Sequence, residues 1–114
     1  MEHINIEVAR DFTSTPFGRY KGDFCAVRLR EDFIAPALRK AERVTVDLTG
    51  THGVAPSYLQ EAFGGLVETN RFTVDDLVQR LEIVCATDAS RADEAWAEIR
   101  TAGARQKTLE HAQA

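Results

Sequence analysis

Apolar and polar residues alternate at the start of the chain. In the segment HINIEV, residues 3–8, every second residue is apolar, with Ile4, Ile6 and Val8 on one side. A two-residue period is typical of a β-strand with one solvated face. Residues 10–22 are rich in Gly, Pro, Ser and Thr, which predicts an irregular or hairpin-like loop. We expect its three aromatic residues to pack onto the domain: Phe12, Phe17 and Tyr20.

The apolar spacing becomes helical from residue 23 to residue 42. Pro36 lies inside this pattern, and proline removes one backbone N–H and crowds the preceding turn. The sequence therefore predicts a helix with a kink or a restart near Ile34. Cations are favoured at the negative C-terminal end of a helix. The cations expected there are Arg39, Lys40 and Arg43.

The segment VTVDL, residues 44–48, is rich in β-branched residues and lies between helical patterns, which favours a central strand. Residues 57–67 then place apolar side chains at i, i+3, i+4, i+7 and i+8, the clearest helix of the chain. Gly64 and Gly65 lower its helix propensity by about 1 kcal/mol each relative to alanine. They indicate a close approach of the helix backbone to a neighbour, most simply the sheet.

The rest of the chain continues the alternation of helices and strands. Thr73 and Asp76 have the spacing of a capping box for a short helix that runs through Arg80. Residues 81–86, LEIVCA, predict another strand. The order of elements predicts a small single-domain α/β sandwich, with helices packed on a mostly parallel or mixed sheet.

The last predicted helix is capped by Asp88 or Ser90, and its inner face contains Ala, Trp and Ile side chains. Gly103 is expected to end this helix. Residues 105–114 are polar and are expected to form a frayed tail. The domain is therefore predicted to span residues 1–104.

Composition narrows the classes of function. The 114 residues suit one domain, and a net charge of -4 argues against a nucleic-acid partner. The chain contains neither an N-terminal apolar leader nor a run of about 18 apolar residues, so no membrane association is expected. Cys25 and Cys85 lie in apolar surroundings, which predicts buried reduced thiols and a cytoplasmic location. The histidines and cysteines lack metal-ligand spacing, and neither a metal nor a cofactor is predicted.

Ser57 is the main candidate site residue, because it stands where a Gly/Pro loop meets a helix. Backbone N–H groups at a helix N-terminus favour negative charge. Ser57 and Gln60 have the spacing of a capping box, whereas in a variant Pro56 is the first helical residue and Ser57 lies just inside. The alternative to a structural cap is a phosphoacceptor, since a phosphate there would sit at the positive end of the helix.

The same region has a family resemblance. The strand VTVDL, the turn TGTHG and the helix start SYLQEAFGGL follow one another in order. From about Gly18 to Val67 the chain resembles the STAS-like domains of the DUF4325 family, whose counterpart of the last motif is S-F-L-x-E-A-F-G-G-L. More distantly it is similar to the STAS domains of anti-sigma factor antagonists.

That distant resemblance implies a function for Ser57. In anti-sigma factor antagonists, a D-S-S/T-G motif opens a helix, and its second hydroxyl residue is phosphorylated by a kinase-type anti-sigma ATPase. Ser57 lies at the position of this phosphoacceptor. The other motif positions differ, since Ala55 replaces the acidic residue, Pro56 the first hydroxyl residue and Tyr58 the glycine.

The sequence therefore favours a non-enzymatic regulatory module that binds a protein, with an anti-sigma-type ATPase or kinase as the implied partner. The candidate partner-surface residues are Asp47, Thr49, Thr51, His52, Tyr58 and Glu61. A second hypothesis is a small-ligand or nucleotide site in the loop Thr49–Pro56. A third is a hydrolase or transferase that uses Asp47, His52 and Ser57, although no G-x-S-x-G elbow is present.

Overall fold

The computed structural model describes residues 2–113, which form three strands and five helices. The strands are β1 (His3–Glu7), β2 (Arg43–Asp47) and β3 (Leu81–Val84). The helices are α1 (Val8–Asp11), α2 (Ala26–Arg28, Leu29–Ile34 and Ala35–Lys40 in succession), α3 (Pro56–Leu59, Gln60–Gly64 and Gly65–Glu68 in succession), α4 (Val74–Arg80) and α5 (Ala89–Gln113). The predicted order is confirmed. The structure adds the short helix α1 to this order, and within the described residues no strand forms between residues 10 and 22.

The three strands form one parallel sheet in the order β1-β2-β3, so β2 is central as predicted. Ile6 pairs with Val46, and Val46 pairs with Ile83, which aligns buried side chains on one face of the sheet. The helices cover this face. On the opposite face, the hydroxyl of Thr45 and Nε2 of His3 form a hydrogen bond of 2.8 Å. The protein is thus an α/β layer sandwich with one polar sheet face.

Proline disturbs α2 as expected, but the helix does not break. The segment Leu29–Ile34, just before Pro36, is π-helical, and the N–H of Ala35 donates to the carbonyl of Arg30 five residues earlier. A wider turn accommodates a residue that lacks an N–H while the remaining backbone bonds persist. The disturbance predicted near Ile34 is therefore a π-helical segment within a continuous helix.

Arg80 of α4 satisfies the carbonyl groups at the C-terminal end of α2. Its Nη2 donates to the carbonyl of Ala41 at 2.8 Å and its Nε to that of Glu42 at 3.2 Å. Its Nη1 also forms a 2.8 Å ion pair with Asp76. Arg39 and Lys40 lie in the last turn of α2, as the sequence predicts, but the bonds described here come from Arg80. The structure uses an arginine from a distant helix because carbonyl groups at a helix end need donors, whatever their origin.

The predicted helix starts in the second half are confirmed. The hydroxyl of Thr73 accepts the N–H of Asp76 at 3.0 Å, and Asp88, directly before α5, accepts the N–H of Ser90 at 3.2 Å. The predicted end of the last helix at Gly103 is wrong, since α5 continues to Gln113. A Cβ at Gly103 would lie 2.5 Å from a methyl group of Val74, so this glycine allows α5 to approach α4. The prediction that residues 1–104 form the domain stays a prediction.

Cys25 and Cys85 are both buried and free, in agreement with the prediction of buried thiols. The core between the sheet and the helices is otherwise mainly aliphatic, with the aromatic rings of Tyr58 and Phe63. None of the helices within residues 2–113 combines the length and the apolarity needed to cross a lipid bilayer.

Candidate functional site

The loop between β2 and α3 is held by its own polar side chains. The carboxylate of Asp47 accepts the N–H of Thr49 at 2.9 Å, which is an Asx-type turn. The hydroxyl of Thr51 donates to the carbonyl of Leu48 at 2.7 Å. Asp47 and Thr51, two of the predicted partner-surface residues, are therefore partly buried and shape the loop.

Two neighbouring loops hold the same segment from either side. The hydroxyl of Thr49 accepts the N–H of Ala86 at 2.8 Å, beyond the end of β3. On the other side, the N–H of His52 donates to the carbonyl of Ser14 at 2.8 Å. These bonds fix the backbone of the loop and leave the imidazole of His52 exposed. Of the loop residues predicted for a partner surface, His52 has the most accessible side chain.

Ser57 is exposed and lies in the first turn of α3. Pro56 is the first helical residue, and Ala55 precedes the helix without a side-chain cap. The capping-box alternative for Ser57 is therefore wrong, and the arrangement with Ser57 just inside the helix is confirmed. The N–H groups of Tyr58 and Leu59 both reach the carbonyl of Ala55, at 3.0 and 3.3 Å.

Tyr58 was predicted as part of a partner surface, but its side chain is almost completely buried. Its side chain is only 3% exposed, and its hydroxyl donates to the carbonyl of Phe24 at 2.8 Å. Burial, together with the nearby thiol of Cys25, raises the pKa of Tyr58 well above the ordinary value of a phenol. The residue anchors the start of α3 to the loop that precedes α2.

The carboxylate of Glu61 is enclosed by two arginines. Its Oε2 lies 2.7 Å from Nη1 of Arg30, and its Oε1 lies 3.1 Å from Nε of Arg19. Arg30 is only 3% exposed. Glu61 was predicted for a partner surface, but its carboxylate forms these ion pairs within the chain.

The two glycines of α3 make room for different neighbours. A Cβ at Gly65 would lie 2.8 Å from Cζ of Arg30, inside the guanidinium group. A Cβ at Gly64 would lie 3.4 Å from the carbonyl of Glu98 in α5. The expectation that these glycines face the sheet is wrong, because they face α2 and α5.

The loop before α2 contains one aromatic side chain that is exposed beside Ser57, namely Phe17. Phe12 packs edge-on against Phe24 and Phe33, as expected for the loop aromatics. Phe17 and Tyr20 were expected to pack as well, but Phe17 is 83% exposed and Tyr20 is also exposed. Phe17 and Ser57 both line one groove of about 240 Å³. The remaining residues of this groove are Pro16, Gly18, Arg19, Gly53, Ala55 and Tyr58.

The residues of the hydrolase hypothesis are not connected. Among the described residues, no hydrogen bond joins Asp47, His52 and Ser57, and the carboxylate of Asp47 is directed to Thr49. In the same part of the chain, no three His, Cys, Asp or Glu side chains are placed to hold a metal ion.

The fold and the loop define an α/β domain whose candidate site lies at the C-terminal edge of a parallel sheet. Comparison with family models gives a match over residues 26–91 to the STAS-like domain of unknown function DUF4325. Because this match covers more than half of the chain, the protein belongs to that family. Searches of curated proteins and of solved structures found no match.

The predictions from sequence missed Arg30 and Phe17. One signal for Arg30 was available, because it lies three residues after Val27 and four before Ile34, on the apolar stripe of α2. A cation in such a stripe needs an anionic partner in the core. The sequence contains no comparable signal for the exposure of Phe17, which depends on the path of the loop.

Proposed function

We propose that this STAS-like domain is a non-enzymatic regulatory module that binds a protein partner through a switch surface. The switch surface consists of the exposed side chains of Phe17, His52 and Ser57. The main support is that Phe17 is 83% exposed and lines the same groove as the exposed Ser57. Exposed aromatic side chains in a patch are typical anchors of protein interfaces.

The backbone beneath this surface is preorganised. The N–H of His52 connects the β2–α3 loop to Ser14, and the hydroxyl of Tyr58 connects α3 to Phe24. A surface that is ordered before binding loses less conformational entropy in the complex. The two connections therefore support recognition of a partner by a rigid surface.

The dimensions of the groove favour a protein over a small molecule. Sites for drug-sized ligands usually enclose about 300–1,000 Å³. The groove beside Ser57 measures about 240 Å³, and its aromatic wall projects into solvent. A protein that covers Phe17 would remove more of that side chain from water than a ligand held within the groove.

The loop Thr49–Pro56 gives weaker support to a nucleotide or phosphate site. Such sites bind anions through free backbone N–H groups. The N–H groups of Thr49, Gly50 and Thr51 already donate to Asp47, Thr87 and Leu48. The N–H of His52 donates to Ser14. These four donors are therefore occupied within the chain.

Ser57 gives the module a means of regulation. A phosphate on its hydroxyl would add nearly two negative charges to the switch surface, in the first turn of α3. A kinase-type anti-sigma ATPase is the partner that the resemblance to anti-sigma factor antagonists implies. Regulation of this kind requires only that the charge on Ser57 changes the affinity of the switch surface for its partner.

The test is affinity capture from the native cell with quantitative mass spectrometry. The Ser57→Asp chain and the Phe17→Ser chain should each fail to capture a protein that the wild-type chain recovers. The matched control is Val78→Ser, since Val78 is 58% exposed but lies on α4. Intact-mass measurement of the recovered chain would detect an addition of about 80 Da. Recovery of the same proteins by all four chains would reject the switch surface.

A further inference from the structure

A second groove lies at the other end of α3, where the chain turns from α3 into α4 beneath the C-terminal half of α5. Its volume is about 500 Å³, twice that of the groove beside Ser57 and within the usual range for small-molecule sites. Because Ser57 lies in the first turn of α3 and Val67 is near its end, this groove is separate from the switch surface.

Cations surround an apolar floor in this groove. The floor contains Val67, which is buried, and Phe72 and Val74, which pack partly against the core. Among the described lining residues, three are cations and one is a carboxylate. They are Arg71, Arg100, Lys107 and Asp75. This local excess of positive charge contrasts with the net charge of -4 for the whole chain.

The walls of the groove are built by specific backbone features. Arg71 has a φ of 67°, the left-handed conformation that side chains other than glycine rarely adopt. Strained residues of this kind are concentrated at binding and active sites. Opposite, Gly103 allows α5 to meet Val74, and an ion pair of 2.8 Å between Arg105 and Glu68 holds α5 beside the end of α3.

We infer that this groove binds a small organic anion with an apolar body. The cations of Arg71, Arg100 and Lys107 would meet a carboxylate, phosphate or sulfonate group at the rim. The body of the ligand would lie against Phe72 and Val74. A simple inorganic anion would leave this floor exposed, and an uncharged hydrophobe would leave the cations unused.

The probe for the test is anilinonaphthalene sulfonate, a fluorescent aromatic anion, added to the folded chain at low salt. We expect saturable binding of one probe molecule. Octanoate should displace the probe, whereas the same concentration of inorganic phosphate at matched ionic strength should not. Equal displacement by phosphate would overturn the requirement for an apolar body.

Variants locate the binding. Arg71→Gly with Arg100→Gln removes two cations, and glycine tolerates the φ of residue 71, so the fold should persist. This pair should weaken probe binding about tenfold. The control pair Arg28→Gln with Arg39→Gln removes the same charge from exposed positions on α2 and should change binding less than about twofold. Equal losses in the two pairs would mean nonspecific attraction and would reject the site.

Two further variants separate this groove from other apolar surfaces. Ala104→Trp places a large ring on the groove wall at an exposed position and should abolish probe binding with all cations kept. Phe17→Ser changes the switch surface and should leave the probe affinity unchanged. Binding that survives Ala104→Trp, or that disappears with Phe17→Ser, would place the probe elsewhere and contradict the inference.

Discussion

The guanidinium group of Arg30 fills the space that a side chain at position 65 would need. Cζ of Arg30 would lie 2.8 Å from a Cβ at Gly65, and Arg30 is 3% exposed. The same group donates to the carboxylate of Glu61, one turn earlier in α3. Gly65, Arg30 and Glu61 therefore form one unit that joins α2 to the helix that presents Ser57.

Replacement of Gly65 by alanine should be more damaging than replacement of Gly64. The Cβ of Gly65→Ala would force Arg30 from a buried ion pair, and we expect a loss of about 2 kcal/mol or more in the free energy of unfolding. At Gly64 the nearest atom would be 3.4 Å away, and the gain of about 1 kcal/mol in helix propensity offsets a small displacement. Urea denaturation of both variants measures the difference. Equal stabilities would show that Arg30 relocates freely.

The ion pair itself is tested by a matched pair of charge removals. Glu61→Gln leaves the buried Arg30 with only the more exposed and more distant Glu31 as counterion, and should cost about 2–3 kcal/mol of unfolding free energy. Glu31→Gln is the control, because that carboxylate is 42% exposed and lies 3.4 Å from the same arginine. It should cost less than about 0.5 kcal/mol. Denaturation curves of similar midpoint for the two variants would contradict the structural role of Glu61.

Tyr58 makes the stability of the domain depend on pH in the alkaline range. Because burial raises the pKa of Tyr58 in the folded state, the unfolded chain loses this proton first as the pH rises past 10. The phenol therefore stabilises the fold fully below its unfolded pKa, and stability falls above it. Tyr58→Phe should cost about 1 kcal/mol near neutral pH, through loss of the bond to Phe24, and should flatten the alkaline fall.

The measurement for Tyr58 is the free energy of unfolding as a function of pH for the wild type and for Tyr58→Phe. The lost hydrogen bond lowers the curve equally below pH 10, so a change in slope above that pH reports the titration of the phenol. Parallel curves across the alkaline range would rule out the raised pKa.

Local patterns predicted much of this fold. The alternation at residues 3–8, the helical spacing at residues 57–67 and the Thr73 cap each depend on neighbours in sequence, and each is present in the structure. Gly103 shows where this reasoning fails. A glycine late in a helix is a usual stop signal, but the side chain of Val74 from another helix decides its role here.

The sequence predicted only part of the candidate site, because only some of its features depend on neighbours in sequence. The exposure of Ser57 follows from its place between a loop and a helix, which the sequence indicates. Tyr58 is adjacent in sequence but buried, because its hydroxyl reaches a carbonyl 34 residues earlier. Glu61 likewise pairs with an arginine 31 residues earlier. Contacts over such separations leave no local pattern.

Site-specific photo-crosslinking in the native cell shows whether a protein partner docks on the switch surface. A benzophenone side chain at position 17 should crosslink to one protein, and Ser57→Asp in the same chain should reduce that product. The same group at position 78, exposed on α4, should not yield it. Docking on the switch surface predicts a product specific to position 17 and sensitive to position 57. Crosslinks that are identical from both positions, or unchanged by Ser57→Asp, would contradict it.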